Sequence, residues 1–165
     1  MPRFACVIFI SLVILTGCAS PSYTYRYVPG KTAALVDGQA VAPPAAPARV
    51  QDAIAAANRI VGSPYRRGGG HGANGDGTFD CSGAASYVLR EAGLMEDSMP
   101  SAGFRRYGRS GEGEWISIYA RRGHVFLVLA GLRFDTGYHG EERGPLWTTR
   151  DRPANGCVIR HPGGL

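Results

Sequence analysis

One stretch restricts the fold more than any other, and it runs from His124 to Thr136. His124–Ala130 (HVFLVLA) is a nearly continuous apolar run, and Leu132–Thr136 (LRFDT) is a second β-rich run one glycine later. A strand that is apolar on both faces reads as a buried central strand of a sheet. Gly131 marks a tight reversal between the two. If the loop is Ala130-Gly131, Leu129 pairs with Leu132 and Phe126 lies opposite Asp135. His124 is two residues from Phe126 and shares its face. His124 and Asp135 then become diagonal neighbours, about 7–8 Å apart between backbones. A loop of odd length would turn Asp135 to the other face unless a bulge restored it. The spacing permits a His–Asp pair without compelling one.

Other elements arrange themselves around this hairpin. Glu114–Ala120 (EWISIYA) and Cys157-Val158-Ile159 read as further strands. Val50, Ala53, Ile54, Ala57, Ile60 and Val61 form one apolar stripe, which predicts a helix over Val50 to Val61, closed by Gly62 and Pro64. A second helix is predicted from Cys81, with Asp80 as its N-cap and Ala84, Ala85, Val88, Leu89 and Ala92 on its apolar face. Residues 94–113 and 137–155 are broken by Gly and Pro and read as irregular, with Trp147 more easily a core plug than a platform for sugars. The Gly-rich segment 68–77 lacks the Gly-Lys-Ser/Thr of a phosphate loop and suits a flexible lip beside a site. No internal repeat is present.

Cys81 carries the chemical interest. At a helix N-terminus the backbone N–H groups lack helical partners and the dipole favours negative charge, and the thiolate is the nucleophilic form of cysteine. The plainer reading is a small buried apolar residue that happens to begin a helix. A cysteine nucleophile needs a base to hold its proton, a third group to orient that base, and N–H donors for the oxyanion. His124 and Asp135 are the candidates for the first two.

The N-terminus bears on compartment. One positive charge at Arg3, an apolar run from Phe4 to Leu15 and the small-residue close at Leu15-Thr16-Gly17-Cys18 read as a secretory signal. About 12 apolar residues are too few to span a bilayer, which takes about 20. The four residues ending at Cys18 resemble the bacterial lipobox. That implies a signal peptide over 1–17, lipid on Cys18 and anchoring in the envelope. Ala19 in place of aspartate points to an outer membrane facing the periplasm if the cell is Gram-negative. Residues 18–48, with their APPAAPA segment, read as a semi-rigid tether carrying no fold, and 49–165 as one domain. Cys6 leaves with the signal, and Cys81 and Cys157 remain, either as thiols or as a disulfide. No ligand spacing for zinc is present. The net charge of +5, nearly all of it Arg, favours polyanionic surroundings. No clustered basic helix or nucleic-acid motif accompanies it, so nucleic acid ranks last among partners.

The order Pro64-Tyr65, Asp80-Cys81-Ser82-Gly83, Gly123-His124-Val125 and Phe134-Asp135 resembles the NlpC family of bacterial cell-wall cysteine peptidases, over about residues 50–160. The resemblance implies an α+β, papain-like NlpC fold, with N-terminal helices packed on a central antiparallel β-sheet. It implies hydrolysis of peptidoglycan stem peptides by a monomer without a cofactor. It makes Cys81 the nucleophile, His124 the base and Asp135 the orienting residue. Tyr65 would line the site and help the oxyanion hole, and Asp80 and Ser82 would contact substrate. Gly113-Glu114-Trp115 stands where family members carry Pro-Gly-Asp, and Arg66-Arg67-Gly68 where an aromatic-Gly-Gly follows the Pro-Tyr. His71 is a substrate-contact candidate, His139 an alternative orienter, and His161 a surface residue. Three other readings share these features. One is an inactive envelope lipoprotein that binds wall peptides or serves a structural role. Another is a domain stapled by Cys81–Cys157, and the last is an acyltransferase of related fold.

Overall fold

The computed structural model describes residues 22–72, 76–137 and 143–165. The signal segment, Cys6, Cys18 and His139 lie outside the described residues. The fold is α+β. Strands β4 (Arg109–Ser110), β10 (Val158–His161), β5 (Ile116–Arg121), β6 (His124–Leu129), β7 (Leu132–Asp135) and β8 (Leu146–Thr148) form one six-stranded sheet in that spatial order, and every pairing in it is antiparallel. Two helices, α1 (Ala48–Ile60) and α2 (Cys81–Glu91), pack on each other, and both reach β6; α3 (Ser101–Phe104) is a short turn against β5 and β6.

The two faces of the sheet bury different things. Ile118, Val125, Leu127, Leu129 and Phe134 meet Val50, Ile54, Val88 and Leu89 of the helices in the main core. A buried Ile, Leu or Val contributes about 1.5–3 kcal/mol over its exposed state, so this layer dominates the stability. The opposite face carries Tyr119, Phe126 and Val128, covered by Tyr23 and Ala154. Tyr23 belongs to β1 (Ser22–Tyr23), which pairs with β9 (Arg152–Pro153). Hairpin β2 (Ala34–Val36)–β3 (Gln39–Val41) completes the N-terminal segment and is tied to α1, where the Asn58 side chain bonds both the N–H and the carbonyl of Ala40 at 3.0 and 2.9 Å.

This corrects the expectation that 18–48 is a tether without fold. Among the described residues, Tyr23, Ala33, Ala40 and Ala46 are buried. Two-residue and three-residue strands are too short to show a period in the sequence; Tyr23 of β1 covers the second face of the sheet, whereas Ala33, Ala40 and Ala46 join the main core beside α1. β8, in a stretch read as irregular, belongs to the main core instead: Trp147 buries against Phe134, with ring centroids 4.9 Å apart, and donates its indole N–H to Asn58 Oδ1 at 2.8 Å.

The β6–β7 hairpin has the Leu129–Leu132 register that a two-residue loop dictates. Ala130 and Gly131 both have positive φ, 44° and 74°, the signature of a type I′ turn. Ala130 is costly in that conformation. It is held there by its N–H to the Trp115 carbonyl at 2.7 Å and by Ala33 N–H donating to its carbonyl at 2.8 Å. Among the described residues no helix is long and apolar enough to cross a membrane.

Candidate active site

α2 starts at Cys81 because Asp80 caps it. Asp80 is extended, with φ −93° and ψ −179°, and its Oδ1 accepts the Gly83 N–H at 2.7 Å. The same carboxylate accepts the Gly68 N–H at 2.8 Å and the Ser82 hydroxyl at 3.0 Å. His71 Nε2 completes the cluster, 3.2 Å from Asp80 Oδ1 and 3.1 Å from Ser82 Oγ. Burial disfavours the charged carboxylate, but these bonds and the nearby imidazole outweigh it and hold the Asp80 carboxyl below the usual range.

The first glycines of the loop are not a loose lip. Asp80 N–H donates to the Gly69 carbonyl at 3.2 Å, and a Cβ at Gly83 would stand 1.9 Å from that oxygen. Close backbone approach, rather than mobility, is what glycine supplies here. Arg66 closes the loop from outside, with Nε donating to Thr78 Oγ1 at 3.0 Å and the guanidinium paired with Asp76. Tyr65 is half-buried and its backbone bridges to Phe79, two residues before Cys81.

Cys81 is half-buried and a free thiol, as is Cys157, so no Cys81–Cys157 disulfide is present. The Cys81 thiol lies within hydrogen-bonding reach of the His124 imidazole. The Nε2 of the same ring is 2.9 Å from Asp135 Oδ1. The N–H does not point along the line to the carboxylate; the contact is a close ion pair rather than a straight hydrogen bond. Burial lowers the His124 pKa, whereas the Asp135 carboxylate and the Cys81 sulfur raise it, and the net effect carries it up to about 9.

Asp135 is itself fixed. Thr136 N–H donates to Oδ1 at 2.8 Å, and Arg133 donates to Oδ2 through Nε at 3.0 Å and Nη2 at 2.5 Å. Cysteine, histidine and aspartate are thus brought together from α2, β6 and β7. Asp80, Ser82 and His71 form a second cluster at the same helix start. His161 lies away from both, at the end of β10, where its Nδ1 meets the Gly111 carbonyl at 3.0 Å.

Over 75 residues the chain is 39% identical to a probable endopeptidase of Corynebacterium glutamicum (strain R). The match covers 44% of this chain and 34% of that protein, so the chain spans about a third of the length of this curated relative. No family model matches the chain.

The residue that sequence reasoning missed is Arg133. It was legible only as an alternation: Arg133 and Asp135 are two apart on β7 and so share a face, the face His124 occupies on β6. Among the described residues no three His, Cys, Asp or Glu side chains are grouped to hold a metal ion.

Proposed function

We propose that this protein is a cysteine endopeptidase of NlpC type and papain-like fold, acting on peptidoglycan stem peptides. The observation that carries the reading is the approach of the His124 ring to the Cys81 sulfur at the start of α2, with Asp135 against the same ring. The likeness to a probable endopeptidase and the motif order support it. The substrate class rests on the resemblance and on the net charge of +5, which suits an acidic polymer.

In this reading the Cys81 thiolate attacks the scissile carbonyl carbon and its electron pair forms the C–S bond. The carbonyl π electrons move to oxygen, where the Cys81 N–H, the first of α2, and the Tyr65 hydroxyl serve as donors. Collapse of the tetrahedral adduct expels the amine, and His124 gives that nitrogen its proton. With Nε2 committed to Asp135, Nδ1 is the nitrogen that carries it. A water then attacks the thioester while His124 takes its proton. Release of the acid product regenerates the sulfur–imidazole pair. Asp80 and Ser82 are largely buried and already engaged, so they act as the clasp that shapes the helix start. Substrate contact falls to Tyr65 and His71, whose side chains are the more open. A lipid on Cys18 would hold the domain at the envelope, at the outer membrane in a Gram-negative cell.

The test is digestion of purified wall fragments with product masses measured. The wild-type protein should release new amine and carboxyl termini, and Cys81→Ala should release none while keeping its fold. Cleavage surviving in Cys81→Ala would refute the mechanism. Binding of fragments without cleavage by the wild type would favour the inactive envelope lipoprotein.

A further inference from the structure

Arg133 stands out as a buried charge that the chemistry above does not use. It is 1% exposed and sits on the sheet face opposite the main core, beneath Tyr23 and Tyr119. Every nitrogen of its guanidinium is committed. Nε and Nη2 hold Asp135 Oδ2, and Nη1 donates to the Arg152 carbonyl at 3.3 Å. Its Cζ lies 3.4 Å from the centroid of the Phe126 ring, which stacks in turn on Tyr119 at 4.7 Å and 10°.

A buried ion pair is a poor stability device, because desolvating two charges consumes most of what their attraction returns. What the pair does supply is geometry. A planar fork gripped on three sides cannot rotate, and a carboxylate gripped by that fork cannot either. We propose that Arg133 is a positioning residue, locking Asp135 Oδ2 from the back of the sheet so that Oδ1 is presented to His124. Thr136 N–H fixes the second oxygen from the strand itself. The orientation of the imidazole is then set by the aromatic layer beyond it, and Tyr23 of the N-terminal segment forms part of that layer. The kinetic consequence rests on the peptidase reading; the effect on the imidazole does not.

The experiment compares Arg133→Lys with Arg133→Met, each alone and combined with Asp135→Asn, in the full chain. Lysine keeps the charge but not the two-point grip. Two quantities are read, namely kcat and KM on a wall-peptide fragment, and the His124 titration by NMR of the imidazole nitrogens. Arg133→Lys should lower kcat about tenfold, as a small misplacement of a reacting group does, with KM within about twofold. The His124 midpoint should shift downward. Both effects should vanish when Asp135 is already Asn, since the two residues would act as one unit. An equal loss in both backgrounds would mean a merely structural role and would overturn the proposal, as would an unchanged His124 midpoint in Arg133→Lys. If Arg133→Met does not fold, Arg133→Lys, which buries no uncompensated carboxylate, decides alone. If the wild type cleaves no wall peptide, the peptidase reading fails, and the titration still decides for Arg133.

Discussion

His124 Nε2 stands 2.9 Å from Asp135 Oδ1 across two adjacent strands, and Asp135 is only 2% exposed. A carboxylate so buried and so placed favours the charged imidazole, and the consequences can be measured.

The first concerns pH. His124 is raised from 6.5 to about 9, so the folded protein binds the ring proton more tightly than the unfolded chain does. Its contribution to stability is complete below the unfolded value and is lost as pH rises through about 9, on the order of 3 kcal/mol in all. NMR should place the imidazole midpoint near 9 in the wild type and lower in Asp135→Asn. Activity should decline over the same rise, because the leaving amine needs that proton. A wild-type midpoint at the ordinary histidine value would remove the ion pair from the account.

Gly83→Ala should destabilise the protein. In an open helix the change would gain about 1 kcal/mol. Here the new methyl would meet the Gly69 carbonyl at 1.9 Å, and neither backbone can yield without breaking the Asp80 N–H bond to that oxygen. The expected loss is about 1–3 kcal/mol in urea denaturation, as for an over-packed core. A gain in stability would show that the loop is not seated on α2.

His71→Ala should separate binding from chemistry. The ring is 29% exposed, and Asp80 keeps its bonds from Gly68, Gly83 and Ser82 without it. Stability should change by about 1 kcal/mol or less. KM for a wall-peptide fragment should rise while kcat stays within about twofold. A loss confined to kcat would place His71 in the chemistry rather than in substrate contact.

Asn58→Ala should loosen the N-terminal hairpin and β8 together. One side chain accepts from Ala40 N–H and Trp147 Nε1–H and donates to the Ala40 carbonyl. Three lost bonds at a half-buried site amount to about 2 kcal/mol after water replaces part of them. A red shift of tryptophan emission, with a lower urea midpoint, checks both ends of the link. Unchanged emission would mean that Trp147 is held by packing alone.

Much of the framework was readable from residue order. The apolar stripe from Val50 to Val61 gave α1, which ends one residue earlier at Ile60, Asp80 ahead of an apolar period gave the start of α2, and the β6–β7 hairpin followed from Gly131 between two strand-like runs. What escaped was short or depended on distant partners. β1, β2, β3, β8 and β9 span two or three residues each, too few for a period to emerge. β8 extends the sheet at its β7 edge, β1 and β9 cover its second face, and β2 and β3 pack beside α1. Arg133 escaped because a charged residue in a strand ordinarily faces water, and only the covering by Tyr23 makes its burial visible.

The sequence by itself determined the local events: where two helices begin, which run becomes the central strand, and that a cysteine opens a helix behind an aspartate. These depend on neighbours a few residues apart, through capping and side-chain period. Only the tertiary structure decided that the Cys81 sulfur faces His124, that Asp135 turns Oδ1 to that ring, and that Tyr23 closes the far side of the sheet. Those outcomes depend on strand register and on how a helix end meets a sheet, which no spacing along the chain encodes without the packing that fixes it.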